Sequence, residues 1–553
     1  MTDDRYHRLS HPPWLIARTY LIWLIPLLLY ALLIMPATYI RRAQINPDAI
    51  VYIRLSTYLL RGDLAHAFSG YWSPLFPWCM TPLLATGMDG LIAAHVLLAV
   101  IGAGYVLMAY RLLRAVAGIA PGVQFWIMIV AALTAARMAV KIVSPDLLMA
   151  ALLMAYLSVV HHADVLRRPG RALLAGFLGS LAYLAKAYAL PFFLVHFPIT
   201  LFIHSWRERG KNSVTSGPPV SSNLKTTHLP VTILAGIGGF LFLAGPWIAL
   251  LSHSYGRLTM ATAGSFNHNQ VDAAPDEVKY RFTRFVPPDP YLIENEIKDR
   301  RATEHWSPFD SRDHLARQLK TIQTNARQIL LALASFDGIW LVPLCILATI
   351  LLSLPRPGIG WEAPWLAITL QIYCSGFTIV YFEPRLIEAA LKFPAMLLCV
   401  MLSVQLATRW SLRLLPIAVI TIFAAAALID LPGAFRPAGR DEILRQAGQA
   451  MRDHGLKGPI ASNNRGTGMY VAYFSDTKLV SMPPTDSVRE FERDCRTSGV
   501  RCVVIAKEIG RTGTIENPSA PEIAVRGVGW RRRARVADLR QQIEVYERVD
   551  GER

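Results

Sequence analysis

The acidic residue best placed for chemistry follows the first long apolar segment of the chain. Asp48 lies in the run Asn46-Pro47-Asp48, a few residues after an apolar stretch that ends near Ile40. A carboxylate beside a membrane is costly unless it is paired or used, and this one begins an amphipathic segment. Asp48 is therefore the leading candidate for chemistry. The competing interpretation is a helix cap, a position that Asp favours.

A second acidic candidate is Asp146, in the turn Ser144-Pro145-Asp146 before another apolar segment. Local preferences also explain this turn, because Ser, Pro and Asp are all favoured at the start of a helix. The residue types therefore leave two interpretations open for Asp146, substrate binding and helix capping.

Basic candidates lie at the ends of later apolar segments. Arg137 and Lys141 are four residues apart and share one face of a predicted helix. Lys186 interrupts an apolar run, while Glu383 and Arg385 flank a proline in a short turn. The basic residues of this set are predicted to bind an anionic substrate, for which the planar guanidinium of Arg385 is well suited. The alternatives are cations that snorkel to the membrane surface and a simple Arg–Glu surface pair.

The elements that must position these residues are membrane-spanning helices. Of the 553 residues, 53% are hydrophobic and only 17% are charged, which is too apolar for a soluble protein. We predict a mainly α, polytopic membrane protein of about 11 transmembrane helices, since its apolar runs approach the bilayer-spanning length of about 20 residues. The predicted segments are 21–40, 82–110, 123–143, 146–163, 171–185, 188–205, 229–251, 329–353, 361–381, 386–408 and 412–431.

Basic residues gather in the loops on one side of this predicted bundle, which the positive-inside rule makes cytoplasmic. An odd number of crossings from a cytoplasmic N-terminus puts the C-terminus outside. The topology therefore predicts that Asp48, Asp146, Lys186 and Arg385 share the extracytoplasmic face. The Arg- and Ala-rich composition suggests the inner membrane of a bacterium.

The net charge of +17 follows from this topology. Lys and Arg are spread among short loops rather than gathered into a stripe, so nucleic acid is excluded as a partner. No Cys-x-x-Cys or His/Cys spacing indicates a zinc site.

Three hydrophilic regions lie between or after the apolar segments. The first external loop covers 41–81, and the long loop 252–328 is predicted to form an ordered cap on the membrane surface. We predict a transmembrane catalytic domain over 1–434 and an extracytoplasmic domain over 435–553, where helical and strand patterns alternate as in a small α/β fold. Cys495 and Cys502 fall in this second domain. Their spacing and the extracytoplasmic location predict a disulfide.

The first external loop carries a recognisable pattern. Asp48 follows the first spanning helix, Tyr52 lies four residues later, and the run Tyr71-Trp72-Ser73-Pro74-Leu75-Phe76-Pro77 precedes the second helix. The arrangement resembles GT-C-type integral membrane glycosyltransferases, above all the protein O-mannosyltransferase and aminoarabinose transferase relatives. Ala49 stands where those relatives have the Glu of an Asp-Glu pair, and Phe76 stands where they usually have Tyr. The resemblance covers roughly residues 15–430.

This resemblance implies a polyprenyl-phosphate-linked sugar as donor, a membrane lipid as its carrier, and an acceptor hydroxyl on a glycan, glycolipid or protein. Asp48 matches the residue thought to be catalytic, and the reaction it implies is an inverting displacement with Asp48 as general base. Basic residues would stabilise the departing lipid phosphate, so no metal is required, while a divalent cation at the carboxylates stays open. The substrate-binding candidates are Asp146, Lys186, Arg385, Glu383, Arg137, Lys141, Tyr52 and Ser73.

Two other classes of function compete with this one. A transporter or flippase for polyprenyl-linked lipids or solutes would favour charged or discontinuous helices near the bilayer midplane and internal repeats. A scaffold whose external domain binds a partner is the third interpretation. The identities of the sugar and the acceptor do not follow from the residues.

Overall fold

The computed structural model describes residues 13–116, 119–214, 229–269, 292–293, 296, 307–335, 361–380, 382–437, 439–480, 487–508, 520–527, 529–538 and 541–549. The helices in chain order are α1 (Pro13–Ile40), α2 (Pro47–Leu60), α3 (Leu64–Ala67), α4 (Leu75–Ala85), α5 (Gly90–Ala115), α6 (Pro121–Lys141), α7 (Asp146–Val160), α8 (Pro169–Ala185), α9 (Ala189–Val214), α10 (Leu229–Tyr255), α11 (Ala263–Asn269), α12 (Arg312–Ser335), α13 (Glu362–Ser375), α14 (Arg385–Trp410), α15 (Leu415–Asp430), α16 (Gly439–Asp453), α17 (Arg465–Ser475), α18 (Val488–Thr497) and α19 (Ala520–Val525). The strands are β1 (Ile460–Ser462), β2 (Cys502–Glu508), β3 (Trp530–Ala537) and β4 (Gln541–Arg548).

The predicted fold class is confirmed: the chain is a mainly helical, polytopic membrane protein with a small C-terminal sheet. Within the described residues, seven helices are long and apolar enough to cross a membrane. The helices α7, α8 and α13 have 15, 17 and 14 residues and are shorter than the usual span. Part of the predicted segment 329–353 lies outside the described residues, so the number of 11 crossings stays a prediction.

Small residues let two helices of the bundle approach closely. A Cβ on Gly176 of α8 would lie 2.0 Å from the carbonyl oxygen of Gly236 in α10. A Cβ on Gly239 would likewise lie 2.3 Å from the carbonyl oxygen of Leu173. Helices in lipid associate largely through such packing, because lipid tails are as apolar as the helix surfaces.

The helix ends that carry the candidate residues meet at one end of the bundle. Arg41, just after α1, donates from Nε to the carbonyl of Val140 at 3.1 Å and from Nη1 to the carbonyl of Gly433 at 2.8 Å. Gln44 donates to the carbonyl of Lys141, the last residue of α6. These contacts bring the start of the first external loop against the end of α6 and the segment after α15.

The C-terminal region forms a four-stranded sheet in the order β1-β2-β4-β3. The strands β1 and β2 are parallel and the other pairs are antiparallel. The mixture of helices and strands predicted for this region is confirmed by α16, β1, α17, α18 and β2. Buried side chains of α16, among them Leu444 and Met451, belong to the same hydrophobic core as the membrane helices. The boundary at 434/435 stays a prediction.

The predicted disulfide between Cys495 and Cys502 is not formed: both are buried free thiols. Cys495 on α18 packs in a core with Val503 of β2. Cys502 packs with Val504 in the other core, which lies on the opposite face of the strand. Side chains alternate along a strand, so Cys502 points away from the helix that carries Cys495.

Candidate active site

The position of Asp48 depends on its neighbour Asn46. The helix α2 begins at Pro47, and Asn46 is its extended N-cap residue, with φ −139° and ψ 163°. The Asn46 side chain does not cap α2. Its Nδ2 donates to the carbonyl of Val143 at 3.1 Å, and its Oδ1 accepts from the amide of Val143 at 3.0 Å. This two-way contact joins the start of α2 to the turn that carries Asp146.

Asp48 forms an ion pair with Arg385. Its Oδ2 accepts from Nη1 of Arg385 at 2.8 Å, and the Asp48 side chain is 17% exposed. Nε of the same guanidinium donates to Oε2 of Glu383 at 2.5 Å. Arg385 is the first residue of α14, so one cation bridges two carboxylates at a helix start. The arrangement orients Asp48 in the first turn of α2. Among the described residues, no hydrogen bond to its other oxygen, Oδ1, is formed.

Asp146 is buried and lies in a second, separate charge pair. Its Oδ1 contacts Nζ of Lys186, and its Oδ2 accepts from the hydroxyl of Ser144 at 2.8 Å. Lys186 is the extended residue that ends α8, as the predicted break in that apolar run requires. A buried carboxylate is stable only when it is paired and hydrogen-bonded, and Asp146 meets both conditions.

A small cavity of about 220 Å³ connects these pairs to a third. Lys141 contacts both oxygens of Glu388, at 2.9 and 2.7 Å, one turn along α14 from Arg385. The cavity is lined by Met138, Lys141, Ile142, Ser144, Asp146, Leu147, Arg385, Glu388 and Ala389. Charged groups therefore share this cavity with apolar side chains of spanning helices, an environment suited to the phosphate of a lipid.

Arg137 is a predicted site residue that the structure places elsewhere. Its Nε lies 3.3 Å from Oδ1 of Asp430, at the C-terminal end of α15. Arg137 and Lys141 share a helix face as expected, yet they bind different acidic partners. Arg137 thus fastens α6 to α15 and does not line the 220 Å³ cavity.

Tyr52 and Ser73, the remaining candidates, lie beneath the ion pairs. Tyr52 is buried one turn after Asp48, with its ring 5.3 Å from Trp72 and 5.4 Å from Phe76 in edge-to-face contacts. Burial, and then the charge of Asp48, raise the pKa of the Tyr52 hydroxyl well above its usual value. Ser73 is also buried, in the turn before α4. Tyr52 therefore packs directly behind Asp48 on α2 and connects it to the aromatic side chains before and within α4.

The described parts of the predicted cap 252–328 cover the first external loop. The amide of Thr262 donates to the carbonyl of Gly70 at 2.8 Å, and the ring of Phe266 in α11 lies 5.2 Å from that of Tyr71. In α12, Asn325 donates to the carbonyl of Val380 at 2.6 Å, shortly before Arg385. Residues 270–291 of this region lie outside the described residues.

The site contains four carboxylates, Asp48, Glu383, Asp146 and Glu388, each beside a basic side chain. Among the described residues, no group of three or more His, Cys, Asp or Glu side chains is arranged to hold a metal ion. A metal ion at this site would have to bind Asp48, Glu383 or Asp146. Arg385 already contacts Asp48 and Glu383, and Lys186 contacts Asp146.

No known family model matches this sequence, and no curated protein matches it. Solved structures are similar to it. The archaeal oligosaccharyltransferase AglB from Archaeoglobus fulgidus, in complex with an inhibitory peptide and a dolichol-phosphate, is 11% identical, and the match covers 89% of this chain and 74% of AglB with a TM-score of 0.50. ArnT from Cupriavidus metallidurans bound to undecaprenyl phosphate is 12% identical, covering 96% and 98% with a TM-score of 0.49. Arabinofuranosyltransferase AftD from Mycobacteria is 12% identical, covering 95% and 40% with a TM-score of 0.40.

At these identities the similarity shows the fold alone. The match to AglB establishes that this chain has the fold of GT-C glycosyltransferases, which the pattern in its first external loop indicates. A fold does not assign a reaction, so the function has to be argued from the site.

Proposed function

We propose that the protein is an inverting glycosyltransferase that moves a sugar from a polyprenyl-phosphate donor to an acceptor hydroxyl at the extracytoplasmic membrane surface. The observation that carries this proposal is the Asp48–Arg385–Glu383 bridge beside the cavity that Asp146 lines. It combines a candidate base in the first turn of α2 with a phosphate-binding cation at the start of the spanning helix α14.

In the proposed reaction, the acceptor hydroxyl attacks the anomeric carbon while Asp48 takes its proton. The bond from that carbon to the lipid phosphate breaks in the same displacement, and the configuration inverts. Negative charge grows on the departing phosphate. Arg385 and Lys141, which line the cavity, stabilise it together with Lys186, whose partner Asp146 lines the cavity. No step requires a metal, because these three cations supply the charge.

The donor class is supported by two features. The cavity is partly apolar, with Met138 and Leu147 from helices of the bundle, so an isoprenoid phosphate can reach it from the bilayer. AglB, a solved structure with the same fold, is in complex with a dolichol-phosphate. Asp146 orients the donor or its sugar hydroxyls next to Asp48, and the acceptor is a glycan, a glycolipid or a protein hydroxyl.

The transporter hypothesis is less well supported by the positions of the charges. Asp48, Asp146, Lys186 and Arg385 all lie at helix starts or ends, on one surface, rather than inside a broken helix at the midplane. A site at a surface serves a reaction between a membrane-bound donor and an acceptor that arrives from outside.

The test is complementation of a deletion strain with wild type and Asp48→Asn at equal membrane expression, followed by analysis of the surface glycans. We expect one sugar to be missing in the deletion and the variant, because losing a general base costs about 10²–10⁴ in rate. Asp63→Asn is the matched control, since Asp63 is another aspartate of the first external loop that caps α3. If Asp48→Asn restores the full glycan, Asp48 has only a structural role at the start of α2. The transporter hypothesis would then be favoured.

A further inference from the structure

A second cleft, of about 770 Å³, lies on the reverse side of α2 from the candidate active site. Ile53, Thr57 and Leu60 line it from α2. Successive residues of an α-helix are about 100° apart, so these three lie about 120–180° around the helix from Asp48. The helix therefore separates the two cavities, and the larger one does not belong to the proposed donor site.

Arginines dominate the polar part of this cleft. Arg42 comes from the turn after α1, and Arg445 and Arg452 come from α16 of the C-terminal region. Arg54 also lines the cleft, and in the part of the chain that the structure describes two acidic residues line it, Asp89 and Asp476. The positive side chains thus exceed the negative ones.

Two of these arginines have neutral hydrogen-bond partners. Arg42 donates from Nη1 to the carbonyl of Tyr39 at 3.0 Å, and Arg452 donates to the side chain of Gln449. Within the described residues neither forms an ion pair, whereas Arg445 contacts Glu442 at 2.6 Å. Each guanidinium has five N–H donors in a planar fork, so Arg42 and Arg452 keep donors for an anion.

The other edge of the cleft is apolar and lies at the membrane surface. Leu84 of α4, Ile92 of α5 and Leu60 of α2 line it, and Ile92 and Leu60 are 44% and 45% exposed. Ile92 is in the first turn of a spanning helix, and Arg42 follows the end of another. The cleft therefore lies where headgroups meet hydrocarbon.

We propose that this cleft binds the phosphate-bearing headgroup of a lipid, with its phosphate on Arg42, Arg445 and Arg452. The hydrocarbon chains of that lipid pass over Leu84 and Ile92 into the bilayer. Basic pockets at a membrane surface recognise anionic headgroups in this way. The apolar edge favours a lipid over a soluble phosphate ester. This binding is independent of the proposed glycosyl transfer, because it uses the other face of α2.

The test measures binding rather than activity, on the full-length protein in detergent by native mass spectrometry. The probes are phosphatidylglycerol, diacylglycerol as the same lipid body without phosphate, and glycerol 3-phosphate as the soluble phosphate. We expect Arg42→Gln/Arg452→Gln to bind phosphatidylglycerol about tenfold or more weakly, since it loses charge-assisted hydrogen bonds to phosphate. Wild type is expected to prefer phosphatidylglycerol to diacylglycerol.

The matched control is Arg440→Gln/Arg489→Gln, which removes the same charge from two exposed arginines outside the cleft. Its affinity should equal that of wild type, and an equal loss in both variants would overturn the proposal by showing general charge attraction. Binding of glycerol 3-phosphate alone, with the same dependence on Arg42 and Arg452, would overturn it in favour of a soluble ligand. Thermal unfolding checks that the variants are folded, and Arg42→Lys/Arg452→Lys, which keeps the charge, should bind with intermediate affinity.

Discussion

Nη1 of Arg385 lies 2.8 Å from Oδ2 of Asp48, although the two residues are 337 positions apart in the chain. Each stands at the start of a helix, Asp48 in the first turn of α2 and Arg385 at the first residue of α14. The pair therefore couples the first external loop to a late turn of the bundle. Because Arg385 also contacts Glu383, it fixes the direction of the Asp48 carboxylate.

Arg385→Gln is expected to lower kcat of sugar transfer about 100-fold or more, because it removes a preformed cation from the departing phosphate and frees Asp48. Arg385→Lys should retain part of the activity, since an ammonium keeps the charge but cannot bridge Asp48 and Glu383 as the planar fork does. Transfer in purified membranes, with kcat and KM measured separately, checks this.

The control for this series is Arg61→Gln, which removes an exposed arginine at the other end of α2. It should leave both constants near wild type. Unchanged kcat in Arg385→Gln would show that Arg385 only fastens α14 to α2.

The Asp146–Lys186 pair predicts a stability effect that a double variant reverses. Lys186→Met leaves the Asp146 carboxylate, which is 7% exposed, without its cation, so it should destabilise the protein by about 3 kcal/mol. Asp146→Asn/Lys186→Met removes both charges and should recover most of that loss. Its transfer activity should remain low, because the cation beside the phosphate is absent. The measurement is thermal unfolding in detergent beside the transfer assay.

If the double variant unfolds as readily as Lys186→Met, the pair is not what holds α7 and α8 together at this end. If it regains full activity, Lys186 has no part in stabilising the phosphate. The two readouts therefore separate the structural role of Lys186 from the chemical one.

Packing between α9 and α10 predicts a difference between two glycines of α10. Gly236→Ala places a Cβ 2.3 Å from ring carbons of Phe197, so it should destabilise the protein by about 1–3 kcal/mol through overpacking. Gly238→Ala, two residues along the same helix, has open space and should be neutral or slightly stabilising, since Ala favours helix. Thermal unfolding in detergent compares them, and equal midpoints would mean that α10 shifts away without cost.

Much of the membrane region and most of the candidate site could be predicted from the sequence. Apolar runs bounded by proline or charge located most of the helices, and four acidic and basic residues at helix ends, Asp48, Asp146, Lys186 and Arg385, do meet. The choice of partner could not be predicted, because an ion pair between distant residues depends on packing. Lys186 was expected at a phosphate and contacts Asp146, while Arg137 was expected in the site and contacts Asp430.

Asn46 shows what residue types alone do not reveal. It precedes Pro47 and looks like an ordinary helix N-cap, the role that Asn favours. In the structure its amide is used on the backbone of Val143 instead, and so it aligns α2 with the turn before Asp146. The sequence signal available was only an Asn beside the candidate base.

The free thiols of Cys495 and Cys502 make a testable contrast with a disulfide. Burial raises the pKa of Cys495 to about 12 and that of Cys502 to about 11. A raised pKa lowers the reactive thiolate fraction: at pH 8 about one Cys502 in a thousand is ionised, against roughly one in four for an ordinary thiol. Both should therefore resist N-ethylmaleimide in the folded protein and react after unfolding without any reductant. Exposed Cys79 is the internal positive control.

Peptide mass spectrometry under non-reducing conditions gives the answer. Two separately labelled peptides after unfolding fit the alternation along β2, which directs Cys502 away from α18. A cross-linked peptide that labels only after reduction would mean that β2 is shifted by one residue, because a one-residue shift moves Cys502 to the face of Cys495. The same shift would move Val503 and Val504 each into the core that the other occupies now. The labelling result therefore also tests the register of the sheet.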